Sequence, residues 1–142
     1  LFRRLRLPRY AEVDSELIFR LADRFAPEGP IDQEGLKKGL ALCRGQMSAV
    51  LASRLDPGTI TVLKGNKPLC LRIHRQHRVV LYASETAFID FAVDNEKGWR
   101  ELEVPPMTML TIRHEDVRAI ENSEFRFIPQ ERKGTLPEGV NA

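Results

Sequence analysis

The residues able to do chemistry in this chain are few and dispersed. Cys43 and Cys70 are its two thiols, and His74, His77 and His114 its three imidazoles. A thiol becomes a nucleophile or a metal ligand only as thiolate, which needs a nearby positive charge or metal. Cys43 falls on an apolar helical stripe and Cys70 inside the apolar run PLCLRI. At such places a thiol packs as a small hydrophobe and keeps its proton. The stretch CLRIHRQH spaces Cys70, His74 and His77 at intervals seen in metal sites, and His114, Glu115 and Asp116 add further donors. A strand end followed by a turn would scatter the first three around a hairpin tip, and no CxxC-type zinc spacing is present. No metal or cofactor is expected. The glycines show no phosphate-wrapping spacing, and no nucleophile elbow appears. The remaining group is Asp14, within EVDSEL at the start of a strongly amphipathic segment. A carboxylate there caps the first amides of a helix, and the dipole keeps it ionised. It is therefore also placed to receive the ammonium group of a small ligand.

The elements that position these residues follow from periodicity. Leu17, Ile18, Leu21, Ala22 and Phe25 share one face and predict a helix over 15–25. The prolines and glycine of APEGPID end it, and Asp32 caps a second helix lined by Leu36, Leu40 and Cys43, which Gly45 should close. From Gln46 the period becomes that of strands. MSAVLASRL and TITVL flank a DPGT turn, and LCLRI and RVVLYAS flank the polar tip HRQH, so two hairpins are expected. The second pair is nearly continuously apolar, which predicts burial on both faces. SETAFIDFAV reads as a short helix capped by Ser84, and WRELEV, MTMLTI and VRAIE as three more strands. Helices followed mostly by strands point to an α+β or layered sandwich fold. Residues 123–142 turn polar, with Pro129 and Pro137, and read as a tail or linker.

Composition bounds the function. The chain has 142 residues, 42% hydrophobic and 30% charged, enough for one domain. Twenty-two basic against 20 acidic residues leave a net charge of +2, too little to argue for nucleic acid or an anionic membrane. The basic cluster of Arg3, Arg4, Arg6 and Arg9 lacks interleaved aromatics and reads as a solvated face. There is no 18-residue apolar run and no secretory signal, and two cysteines make no disulfide framework. A cytoplasmic protein is the expectation.

Five segments taken in order resemble the class II glutamine amidotransferases, which have the N-terminal-nucleophile hydrolase fold. VDSELIFRLAD is similar to that family's Thr-Asp-Ser/Thr-Glu helix start, and LKKGLALCRGQMSAVLAS to its helix and small-residue strand. TITVLKGNKPLCLRI is similar to its strand and Arg-x-Gly-x-x-Pro-Leu turn, with Lys64 in place of the Arg. VVLYASETAFID is similar to its strand ending in Ala-Ser-Asp/Glu, and VPPMTMLTI stands where the family has a glycine-bearing turn. The resemblance implies an incomplete four-layer α/β/β/α sandwich of antiparallel sheets over residues 1–122. It implies hydrolysis of glutamine to glutamate, with ammonia accepted by a synthase partner or a further domain, and it leaves a homo-oligomer open. Asp14 would hold the α-ammonium of glutamine. The family's nucleophile is a leading Cys, its oxyanion hole an Asn-Gly pair, and both precede the Asp helix. Only 13 residues, without Cys or Asn-Gly, precede Asp14 here. The expectation is a C-terminal portion of a glutaminase domain, inactive by itself. The alternative is a noncatalytic amino-acid-binding or interaction domain on the same scaffold.

Overall fold

The computed structural model describes residues 2–10, 15–94 and 96–130. Its elements run α1 (Phe2–Leu5), α2 (Glu16–Arg24), α3 (Gln33–Leu40), β1 (Arg44–Gly45), β2 (Ala49–Ser53), β3 (Asp56–Lys64), β4 (Cys70–His74), β5 (Val79–Ala83), α4 (Thr86–Val93), β6 (Trp99–Glu101), β7 (Thr108–Arg113), β8 (Glu121–Glu124) and β9 (Ile128–Pro129). The class is α+β with antiparallel sheets. One sheet has the order β2-β3-β7-β8 and another the order β5-β4-β6, while β1 and β9 make a short parallel pair.

Strand alternation explains how the larger sheet serves two cores. Leu51, Leu63 and Met109 point to one side, where they join Ile18, Leu21, Leu36 and Leu40 of α2 and α3. Val62, Leu110 and Ile112, the next residues along, point to the other side and meet Leu71 and Ile73 of β4. The smaller sheet thus lies against the larger one on the face opposite the helices. Its outer face carries α4, where Thr86 Oγ1 donates to Cys70 Sγ at 3.3 Å and Asp90 pairs with Arg72. Helix α3 starts as expected, with the Asp32 carboxylate accepting from the Glu34 amide at 3.1 Å. Helix α2 starts on Ser15, whose side chain makes no capping bond.

Several expectations are corrected. Helix α3 ends at Leu40, not at Gly45. The Cys43 amide closes a tight turn onto the Leu40 carbonyl, and the Cys43 carbonyl accepts from Ile128, which draws the segment into the β1–β9 pair. The first hairpin turns at Arg54 and Leu55. DPG belongs to strand β3, with a bulge between Ala52 and Ser53 setting the register. The fourth helix is preceded by Glu85, without a side-chain cap, instead of being capped by Ser84. Strand β5 is an edge strand, so Val79 and Tyr82 stay exposed and burial on both faces is not met. VRAIE forms a turn, and the strand begins only at Glu121. Past Ser123 the chain still belongs to the fold, because Phe125 and Phe127 are buried in the helix-side core and stacked 6.0 Å apart. Residues 131–142 of the expected tail lie outside the described residues.

Gly65 shows how tightly the loop after β3 is drawn in. A Cβ at this position would come 2.1 Å from the Met47 carbonyl oxygen, so only glycine fits. Lys64, which stands in place of the expected Arg, donates from Nζ to the Lys67 and Leu69 carbonyls at 3.1 and 3.3 Å. It gathers the turn's acceptors as a point charge, without the fork of a guanidinium.

Candidate functional site

An open hollow of about 650 Å³ lies between the start of α2 and the end of β2. Ser15, Glu16, Phe19 and Arg20 form its helical wall, and Arg54 and Leu55 its opposite wall. Asp14, the expected substrate-binding acid, lies outside the described residues; its neighbour Ser15 is on the rim.

The best-organised polar group at this site is Glu16, a residue the sequence reading passed over. Its side chain is 8% exposed in the first turn of α2. One carboxylate oxygen accepts the Tyr10 amide at 2.8 Å and Arg20 Nε at 3.1 Å. The Arg20 guanidinium in turn lies 4.4 Å from the centroid of the Tyr10 ring, a cation–π contact. Glu16 therefore ties the approach segment to the helix and holds Arg20 along the wall of the hollow. A first-turn acid four residues before a basic one was a visible signal of this pair. Its burial was not visible, because that depends on where residues 5–10 run. The same segment is held by Arg24 Nη1, which donates to the Leu5 carbonyl at 2.5 Å.

The thiols occupy supporting positions. Cys43 is buried, and burial pushes its thiol up to about 11 from 9.0. At neutral pH roughly one molecule in ten thousand would carry the thiolate, so Cys43 is a packing residue. Cys70 is half-buried rather than fully buried and receives the Thr86 hydroxyl.

The histidines depart from the scatter expected of a hairpin tip. His74 closes β4, buried at 4% exposure, and its ring centroid lies 4.2 Å from that of His77. Glu96, from the loop after α4, joins them. One ligand atom from each of His74, His77 and Glu96 lies within 4.8 Å of the others. Neither Cys70 nor His114 belongs to this group. The His114 amide donates to the Gly58 carbonyl at the other hairpin. Glu96 could not be paired with the histidines from spacing, since α4 separates them in sequence.

Among the described residues no helix is long and apolar enough to cross a membrane. No protein-family model matches the chain. A stretch of 70 residues, 49% of the chain, is 31% identical to the glutamine–fructose-6-phosphate aminotransferase (isomerizing) of Shouchella clausii strain KSM-K16. The chain spans 12% of that relative's length. Among solved structures, a glutamine aminotransferase class-II domain protein from Silicibacter pomeroyi matches 87% of this chain and 55% of its own, at a TM-score of 0.49 and 20% identity. The chain is thus similar in sequence to a glutamine aminotransferase, and it resembles the class II glutamine amidotransferases in its ordered motifs.

Proposed function

We propose that this chain is the C-terminal portion of the glutaminase domain of a class II glutamine amidotransferase, which hydrolyses glutamine to glutamate and passes ammonia to an acceptor. The observation that carries the proposal is the 31% identity over 70 residues to a glutamine-dependent aminotransferase. The order of layers supports it: helices α2 and α3, the larger sheet, the smaller sheet and α4 read as an incomplete four-layer sandwich. Residues 1–122 belong to that domain in this reading, and the buried Phe125 and Phe127 extend its core.

Asp14 is assigned to the α-ammonium of glutamine. Its place in the sequence, just ahead of α2, is where a helix dipole favours an ionised carboxylate, the form that makes a charge-assisted bond to an ammonium. Glu16 and Arg20 are paired with one another on the wall of the hollow. The nucleophile is assigned to a leading Cys of the complete protein, with its own α-amine as base, because burial holds Cys43 as thiol. A synthase domain or partner would receive the ammonia, and the cytoplasm is the proposed compartment.

The test is glutaminase activity of the complete protein and of its Asp14→Asn variant. Loss of one charge-assisted bond worth about 1.5–3 kcal/mol should raise the KM for glutamine by roughly 10- to 150-fold and leave kcat near its original value. An unchanged KM removes Asp14 from the pocket. A complete protein that binds but never hydrolyses glutamine would favour the noncatalytic domain instead. Hydrolysis by residues 1–142 alone would overturn the assignment of the nucleophile.

A further inference from the structure

We propose that His74, His77 and Glu96 form a site for a divalent transition-metal ion of the zinc type, apart from the hollow at α2. His74 is the fixed element. Its Nε2 lies 3.2 Å from the Lys97 carbonyl oxygen, and the His77 amide donates to its Nδ1 at 3.2 Å. A carbonyl only accepts, so Nε2 carries the proton and Nδ1 the lone pair. A ring whose far N–H is anchored on a backbone carbonyl, leaving the other nitrogen basic, is the usual arrangement of a metal-binding histidine. Gly98, at φ +102°, keeps that backbone against the ring: a Cβ there would come 2.4 Å from Nε2. Trp99 closes the other side, its ring edge-on at 5.3 Å.

His77 and Glu96 supply the adaptable donors. Both are exposed. Glu96 is oriented by the Trp99 indole N–H, which donates to Oε2 at 3.1 Å and leaves Oε1 available. Ligand atoms about 2.1 Å from a tetrahedral ion lie about 3.4 Å apart, so atoms already within 4.8 Å need close by no more than about 1.4 Å. Surface side chains make such a shift by rotating. An ion about 2.1 Å from Nδ1 would occupy the line on which the His77 amide nitrogen now lies at 3.2 Å, so binding requires the exposed hairpin tip to swing that amide aside into water. Two imidazoles and one carboxylate with an open fourth position suit zinc, nickel or copper, and suit magnesium or calcium poorly. The spacing of Cys70, His74 and His77 gave no reason to expect a metal, and the structure brings Glu96, not Cys70, to the two histidines.

The experiment is calorimetric titration of Zn²⁺ into the complete, untagged protein after chelator treatment. Saturable binding of one ion at this site should weaken roughly tenfold or more in His77→Ala and in Glu96→Gln, two surface changes that leave the buried His74 in place. His114→Ala should bind as the parent does, and millimolar Mg²⁺ should not displace the ion. No saturable binding, or binding that survives His77→Ala, would overturn the proposal. Equal loss in His114→Ala, or displacement by Mg²⁺, would do the same.

Discussion

Replacing Glu16 with alanine should release the approach segment from α2. Three contributions set the size. The Tyr10 amide donates to a carboxylate that is 8% exposed, a bond to a charged acceptor worth about 1.5 kcal/mol at the low end, since the exposed Tyr10 can be rehydrated. The pair with Arg20 spans one helical turn, and Arg20 is 27% exposed, so it adds only about 0.3–0.5 kcal/mol. An acid in the first turn gains about 0.3–1 kcal/mol from the dipole, offset by a few tenths from the higher helix propensity of alanine. The net loss is about 2–3 kcal/mol, or roughly 6–12 °C in Tm for a domain of this size. Glu16→Gln keeps an acceptor and loses only the charge, so it should cost about half as much. Urea unfolding gives the total, and hydrogen–deuterium exchange should place the added opening in peptides covering 5–10 and 16–24. If both variants stay within about 0.5 kcal/mol of the parent, or if exchange rises elsewhere, Glu16 is not the tie described here.

The C-terminal aromatics and the buried thiol give two further expectations. Phe125→Ala should destabilise by about 3–5 kcal/mol, because the ring is 2% exposed within the helix-side core, whereas a residue in a free tail would cost almost nothing in the same unfolding experiment. Cys43 keeps its proton to about 11 in the native state against 9.0 unfolded. Its contribution is therefore complete below pH 9 and is lost as pH rises toward 11, by up to roughly 2–3 kcal/mol. The stability difference between the parent and Cys43→Ala should shrink over that window, and a difference independent of pH would show that the thiol is not held protonated by burial.

Local pattern was sufficient for much of the architecture. The amphipathic faces of α2 and α3, the Asp32 cap, the β4–β5 hairpin around HRQH and the strand MTMLTI each carry their signal within about ten residues, where side-chain period and turn chemistry decide the outcome. The ordered motifs also carried the resemblance to glutamine amidotransferases. At the end of α3 a distant segment acts on the chain. The Ile128 and Gln130 amides donate to the Cys43 and Gly45 carbonyls and hold residues 43–45 in the β1–β9 pair instead of a longer helix, and Gln33 at the start of α3 donates to Thr111, 78 residues further along.

Sequence by itself therefore determined most of the element types, the apolar runs of the β4–β5 hairpin, and the nomination of Asp14 beside a helix start. Tertiary structure alone decided that Glu16 is buried under Tyr10, that Phe125 and Phe127 enter the core, and that Glu96 comes beside His74 and His77. The physical reason is range. Caps, turns and periodic faces are set by neighbours in the chain, whereas burial of a charge or convergence of ligands depends on segments brought together only when the sheets and helices pack.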